Sequence, residues 1–387
     1  MRRFALILTL VLTACNAART PLSLQVVSSE MARCPEGSYL DGQAGNLKWN
    51  YTTGLELKAF LDVYDTYGGE QILQYVDGWY DAVIDSAGTI YKYKKSNFST
   101  DHICPGRTLF RLYDLTGKEK YRKAMDVLYD QLKDQPRTPE GGFWHKQVYP
   151  EQMWLDGLYM AQPFYAEYAT RFLPDSLRAA AFSDIARHFR VVAEHTYDPQ
   201  TGLYRHAWDS SREMFWADPA TGQSAHAWGR ALGWYAMGLS EVLDLFPEDH
   251  PDRPALDAIF LHILEVLPKY ADPQTGLWYQ VLDRPGAEGN YLESTCSCMF
   301  TYVYLKAARQ GRDLQVDPKA LYDSLVRRFV REDADGTVTL TDCCAVAGLG
   351  GKDNRSGDYD YYIHEKITEN DPKGIGPLIW AALEIER

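Results

Sequence analysis

The chain is 387 residues long, 45% hydrophobic and 13% aromatic, enough to bury a large core as one barrel-sized unit or as two smaller domains. A formal net charge of −13 excludes nucleic-acid binding through a general basic surface. It also means that an anionic ligand needs cations placed locally for it.

In chain order, the first segment reads as an address and not as structure. Met1-Arg2-Arg3 is a basic start, FALILTLVLTA is a short apolar run, and Leu12-Thr13-Ala14-Cys15 resembles the bacterial lipobox. The expectation is a lipoprotein signal over 1–15 with lipidation at Cys15, a tether over 16–40, and a single domain over 41–387. That places the protein outside the cytoplasm, in the periplasm or cell envelope of a bacterium, touching membrane only through its N-terminal lipid. An ordinary signal peptide that happens to contain a cysteine is the alternative. Nothing later in the chain approaches a transmembrane run.

Apolar residues then recur at helical spacing. The pattern predicts helices near 50–66, 70–86, 105–116, 118–133, 150–172, 174–196, 226–246, 254–271, 291–310, 317–331 and 374–386, with almost no strand patterning. Two kinds of connection alternate. Short turns such as Tyr64–Gly69 and Tyr113–Lys118 place glycine where a helix must stop. Longer ones carry a glycine followed by apolar or aromatic residues: Gly88-Thr89-Ile90, Gly142-Phe143-Trp144, Gly202-Leu203-Tyr204, Gly276-Leu277-Trp278 and Gly336-Thr337-Val338. The heptapeptides DPQTGLY at 198–204 and DPQTGLW at 272–278 are nearly the same loop used twice. Repeated helical hairpins predict an all-α (α/α)6 barrel, with an open solenoid as the competitor. In a closed ring the longer loops collect at one end, over the starts of the inner helices.

The candidate residues lie there. In YPEQMWLDGLYMAQPF, Pro150 suits a first helical turn, and Asp156 stands among Met153, Trp154, Leu155, Leu158, Tyr159 and Met160. A carboxylate in that company is either a functional acid or a structural group tied to a backbone or arginine partner. Gly157 beside it implies a close approach by something else. In SAHAWGRALGWYAM, His226, Arg230 and Trp234 stand four residues apart and would share a helix face, placing a cation beside an aromatic ring as a grip for a sugar carboxylate. His145, His206 and Asp101 each precede an inner helix. Asp101 could instead cap the helix near Pro105, and the histidines could be structural. Asn290–Ser294 and Tyr361-Tyr362 are further candidates for the cleft wall. The six cysteines after Cys15 fit zinc spacing poorly and read as buried thiols, with a disulfide between Cys296/Cys298 and Cys343/Cys344 as the alternative. No Walker, Rossmann, HExxH or GxSxG pattern is present.

The segments TDHICPGR, GGFWHKQVYPEQMWLDGLYMAQPF, GLYRHAWD, AWGRALGWYAM, NYLESTCSCMF and DYYIHEKITENDPKGIGP together resemble the unsaturated rhamnogalacturonyl hydrolases, glycoside hydrolase family 105. The resemblance runs across most of the mature chain and implies the (α/α)6 barrel. It implies that Asp156 is the general acid/base and that Asp101 matches the second family aspartate. It also implies that His145, Trp154, His206, Arg230 and Trp234 hold a C4=C5 unsaturated uronate produced by an upstream polysaccharide lyase. The implied reaction hydrates the double bond and needs neither cofactor nor metal. One departure is GRALGW where some members carry a GRGNGW-like run, so Ala231 and Leu232 reshape that wall and leave the departing sugar open. The alternatives are an unsaturated glucuronyl hydrolase acting on glycosaminoglycan or ulvan fragments, an epimerase on a similar toroid, and a non-catalytic glycan-binding surface lipoprotein.

Overall fold

The computed structural model describes residues 20–42 and 45–387; the expected signal and Cys15 lie outside the described residues. The described chain opens with α1 (Leu22–Arg33), followed by the hairpins α2 (Tyr51–Tyr67) with α3 (Glu70–Val83) and α4 (Gly106–Thr116) with α5 (Glu119–Asp134). The strand β1 (Gln152–Trp154) leads into α6 (Leu155–Phe172) and α7 (Asp175–Thr196); β2 (Ala207–Asp209) precedes α8 (Gly229–Leu245) and α9 (Arg253–Val266). Then come α10 (Ser294–Arg309), α11 (Pro318–Phe329), β3 (Val330–Glu332), β4 (Val338–Leu340), β5 (Cys343–Cys344), α12 (Tyr359–His364), β6 (Ile367–Thr368) and α13 (Pro372–Glu386).

The inner ring is α2, α4, α6, α8, α10 and α13, each packed on the next, with α13 returning to α2. That return closes the (α/α)6 barrel and disposes of the open solenoid. Inner helix α8, packed on both sides, is buried without interruption from Gly229 through Leu243. Close approach is secured by small residues: a Cβ at Gly238 of α8 would stand 3.2 Å from the Tyr159 backbone of α6. Five of the six outer helices come from the predicted hairpins. The sixth is α1, which packs against α13, so the expected tether over 16–40 contains part of the barrel wall. Its backbone is tied there by Ser23 N–H donating to Glu386 Oε1 at 3.0 Å.

The twice-used loop has one geometry. In the first copy Gly202 N–H donates to Asp198 O at 2.7 Å and Thr201 Oγ1 to Asp198 Oδ2 at 2.9 Å; in the second, Gly276 N–H donates to Asp272 O at 2.7 Å and Thr275 Oγ1 to Asp272 Oδ2 at 2.7 Å. Gly202 and Gly276 sit at φ of 75° and 73°, the left-handed region that favours glycine.

Three predicted helix starts are late. The 150–172 segment begins its helix at Leu155 because 152–154 pair as β1 with β2 (Trp154 opposite Ala207), the 226–246 segment begins at Gly229, and the 291–310 segment begins at Ser294. Among the described residues the strands form three two-stranded antiparallel ribbons, β1-β2, β3-β4 and β5-β6. All six cysteines from Cys34 onward are free thiols, five of them buried.

The seam between α1 and α2 carries a testable cost. Glu56 of α2 is 1% exposed, and neither carboxyl oxygen has a hydrogen-bond partner among the described residues. Burial, reinforced by the negative charges of Glu30, Asp371 and Asp41, holds its pKa well above the usual carboxylate range. A raised folded pKa gives stability that is complete below the ordinary glutamate range and is lost as pH rises. Glu56→Gln removes that loss, so thermal unfolding should show a stabilisation that grows from pH 5 to pH 8. A gain that is constant or shrinks over that range would contradict the assignment.

Candidate active site

The long loops are stitched into one rim by backbone hydrogen bonds. Thr100 N–H donates to His145 O (3.1 Å), Leu155 N–H to His206 O (3.1 Å), His206 N–H to His226 O (3.1 Å), Leu282 N–H to Ala227 O (2.9 Å) and Ser294 N–H to Asp342 O (3.1 Å). These bonds tie together the segments that lead into α4, α6, α8 and α10, so side chains far apart in sequence meet there.

Asp156 sits in the first turn of α6, its side chain 14% exposed. His206 Nε2 lies 3.3 Å from Asp156 Oδ2. On its other side His206 Nδ1 is 2.7 Å from the Tyr362 hydroxyl. Burial keeps Tyr362 a phenol, well above its ordinary pKa; with the imidazole proton on Nε2, facing the carboxylate, Nδ1 accepts from that phenol. Burial pushes the Asp156 carboxyl up, but the neighbouring rings of His206 and His145 outweigh it and hold the group below the usual range. The resting state is therefore a carboxylate.

Asp101 does not cap α4, whose N-cap is Pro105 with no side-chain bond. It lies in a short turn, with Oδ2 2.5 Å from Lys146 Nζ and Oδ1 3.7 Å from His145 Nε2. Burial again raises its pKa, and Lys146 and His145 more than reverse this. His145 itself is pushed down to about 4, by burial first and the Lys146 charge second, and is neutral at pH 7. Its Nδ1 stands 3.1 Å from Thr100 Oγ1, and its ring stacks on Trp154 at 4.6 Å. The close approach implied at Gly157 is this histidine: a Cβ there would lie 3.0 Å from His145 Nδ1.

Arg230 and Trp234 differ from their predicted setting. Both are 1% exposed, inside the barrel and not on an open lip. Arg230 lies over Trp228, 4.7 Å from its ring, and its guanidinium donates to the carbonyls of Cys344 and Ala345. Its Nε has no partner among the described residues. Trp234 meets Tyr51 edge-on at 6.4 Å. His226 falls outside the helix, so it shares no helical face with Arg230; its Nδ1 is 2.7 Å from Asp283 Oδ2. Asn290 is occupied in bonding the Val281 backbone, and Glu293 caps α10 while accepting from Cys344 N–H at 2.8 Å.

The sequence reading missed Tyr51, Lys146 and Thr100, and left Tyr362 without a role. Tyr51 opens the first inner helix as Asp156 and Arg230 open later ones, and that equivalence was the available signal. Its phenol is held well above its ordinary pKa, by burial and then by Asp101, and it lies in the field of Arg230 and Asp156 as well. Tyr51, Asp101 and Lys146 line a cavity of about 1000 Å³, large enough for an oligosaccharide, whose lining includes Asp101 but not Asp156. Among the described residues no group of three or more His, Cys, Asp or Glu side chains is placed to hold a metal ion.

Comparison with known proteins gives a consistent set. The family model described as Glycosyl Hydrolase Family 88 matches residues 22–387. A solved glycoside hydrolase of family 105 from C. acetobutylicum is 39% identical, with 95% of this chain and 99% of that one covered and a TM-score of 0.88. Protein Atu3128 of Agrobacterium fabrum is 36% identical over 234 residues, which are 58% of this chain and 97% of that protein. The unsaturated rhamnogalacturonyl hydrolase YesR of Bacillus subtilis is 28% identical over 64% of this chain and 68% of its own length. An unsaturated glucuronyl hydrolase from Streptococcus agalactiae, 12% identical over 88% of this chain and 82% of its own, shares the fold at a TM-score of 0.61.

Proposed function

The chain belongs to glycosyl hydrolase family 88 and is a glycosidase acting on unsaturated uronyl sugars, and from that premise we propose which residues carry its reaction and how. The substrate is an oligosaccharide left by a polysaccharide lyase, ending in a uronate with a C4=C5 double bond. The observation that carries the reading is the placement of Asp156: a carboxyl in the first turn of an inner helix, with His206 3.3 Å from one oxygen and the Asp101–Lys146 pair on the neighbouring loops.

A resting carboxylate must gain a proton before it can give one. A bound uronate brings a second negative charge beside Asp156 and expels water, and both effects raise its pKa. Protonated Asp156 then delivers its proton to C4 of the vinyl ether, and positive charge develops at C5 and the ring oxygen. The carboxylate so regenerated takes a proton from a water as that water's oxygen bonds to C5. The resulting hemiketal opens at the C5–O5 bond, the acetal at C1 becomes a hemiacetal, and its collapse releases the next sugar. His206 holds Asp156 in register through its Nε2 proton, and Arg230 with Trp234 forms the wall against which the uronate is placed. No covalent sugar–enzyme bond forms, so the spacing rule for paired glycosidase carboxylates does not apply.

The test is to digest rhamnogalacturonan, ulvan and chondroitin with their lyases, add purified protein, and follow the near-UV absorbance of the unsaturated uronate. Loss of absorbance on at least one digest is expected. Unchanged absorbance on all three, with binding retained, would favour a glycan-binding role.

A further inference from the structure

Tyr362 on α12 is fully buried, and its hydroxyl makes one hydrogen bond among the described residues, the 2.7 Å contact with His206 Nδ1. Its ring and backbone are held from two sides. Trp228, just ahead of α8, stacks on the Tyr362 ring at 6.1 Å and packs against the His206 ring at 4.8 Å. Gln280 is itself fully buried; its Oε1 accepts from Trp228 Nε1 at 3.0 Å, and its Nε2 donates to Tyr362 O at 3.2 Å. The phenol is thus fixed against the face of His206 that points away from Asp156.

The direction of the Tyr362–His206 bond decides which imidazole nitrogen carries the proton. If Nδ1 carried it, Nδ1 would donate to the hydroxyl oxygen, and the Tyr362 O–H would be buried with no acceptor among the described residues. A buried donor left unpaired is destabilising, and the opposite arrangement avoids it. When the hydroxyl donates, Nδ1 is the lone-pair nitrogen and the proton stands on Nε2, 3.3 Å from Asp156 Oδ2. Both Nε2 and Oδ2 are buried, and neither has another hydrogen-bond partner among the described residues.

The tautomer matters once Asp156 is protonated. Facing an Nε2 proton, Oδ2 is an acceptor, so the acid proton sits on Oδ1. Facing a bare Nε2, the acid would donate through Oδ2 into the ring, and its proton would be withheld from C4. A donor on Nδ1 also favours the neutral ring, which opposes transfer of the acid proton to it.

We propose that Tyr362 is a positioning residue of the hydration: by donating to Nδ1 it holds the His206 proton on Nε2 and so keeps the acid proton of Asp156 on Oδ1. This rests on the hydrolase reading above and adds the residue that makes His206 serve Asp156.

The experiment labels the histidine ring nitrogens of the full chain for NMR and reads His206, identified by the signal lost in His206→Gln, without substrate. Wild type and Tyr362→Phe are compared, and kcat and KM are measured on an unsaturated disaccharide. The wild type should show the proton on Nε2 and an accepting lone pair on Nδ1. Tyr362→Phe keeps the ring and removes only the oxygen, and should populate the Nδ1-protonated form. Its kcat should fall about tenfold, as expected when a catalytic imidazole loses its tautomer. Its KM should stay within about twofold, because the interaction lost is not a grip on substrate. A wild-type ring protonated on Nδ1 would overturn the proposal with no variant needed. So would a Tyr362→Phe ring that keeps its Nε2 proton, whatever happens to activity, or a changed tautomer with kcat intact. Absence of turnover in the wild type would sink the hydrolase reading instead, since the tautomer is read without substrate.

Discussion

Asp156→Asn is expected to lose about 10²- to 10⁴-fold in kcat, the span that removal of a positioned general acid/base usually costs. Asparagine keeps the shape and still faces His206, but it can neither deliver a proton to C4 nor accept one from water. Binding of the unsaturated disaccharide, followed calorimetrically, should survive within a few-fold. Stability should change in a defined direction. The folded pKa of Asp156 is depressed, so the ionised group stabilises the fold above the ordinary aspartate range and that contribution disappears as pH falls. The variant should therefore unfold at a slightly lower temperature at pH 7 and match the wild type in acid. Near-normal turnover would remove Asp156 from the mechanism.

Arg230→Ala should show the other large effect, and on two readouts. Its guanidinium is buried and serves the carbonyls of Cys344 and Ala345. Truncation leaves those acceptors without a donor and empties a large volume, for a loss of about 2–5 kcal/mol. The loop bearing Cys344 and Ala345 also forms part of the cavity wall through Ala345, so KM for the unsaturated substrate should rise at least tenfold. Arg230→Lys keeps the charge without the planar fork and should fall between the two. A destabilised Arg230→Ala with unchanged KM would confine the residue to a structural role.

The barrel was legible from the chain because inner and outer helices repeat with distinct loops, and because Gly202 and Gly276 mark turns that close identically. What escaped was set by contacts distant in sequence. Leu155 and Gly229 begin their helices late because a β1–β2 ribbon claims the residues before α6 and because His226, just ahead of α8, is held by Asp283; helical periodicity carries no trace of either partner. That shift took His226 out of line with Arg230. α1 lay behind a leader-like segment and reads as polar on its own; its packing on α13, α2 and β4 gives its buried side a reason to fold. Asp156, Asp101, His145 and His206 do converge, as their positions before or at inner-helix starts predicted. Tyr362 reaches His206 across 156 residues and Lys146 closes on Asp101 across a loop, pairings that no local pattern encodes.

The central claim is that the double bond is hydrated, and that sugar release follows from it. The most direct measurement follows chromophore loss and sugar release together, in the first turnovers, on one defined unsaturated disaccharide. Hydration predicts one chromophore lost for each sugar freed, with chromophore loss never behind. Sugar appearing ahead of chromophore loss would mean that the glycosidic bond is attacked at C1, and the account built on Asp156 protonating C4 would be wrong.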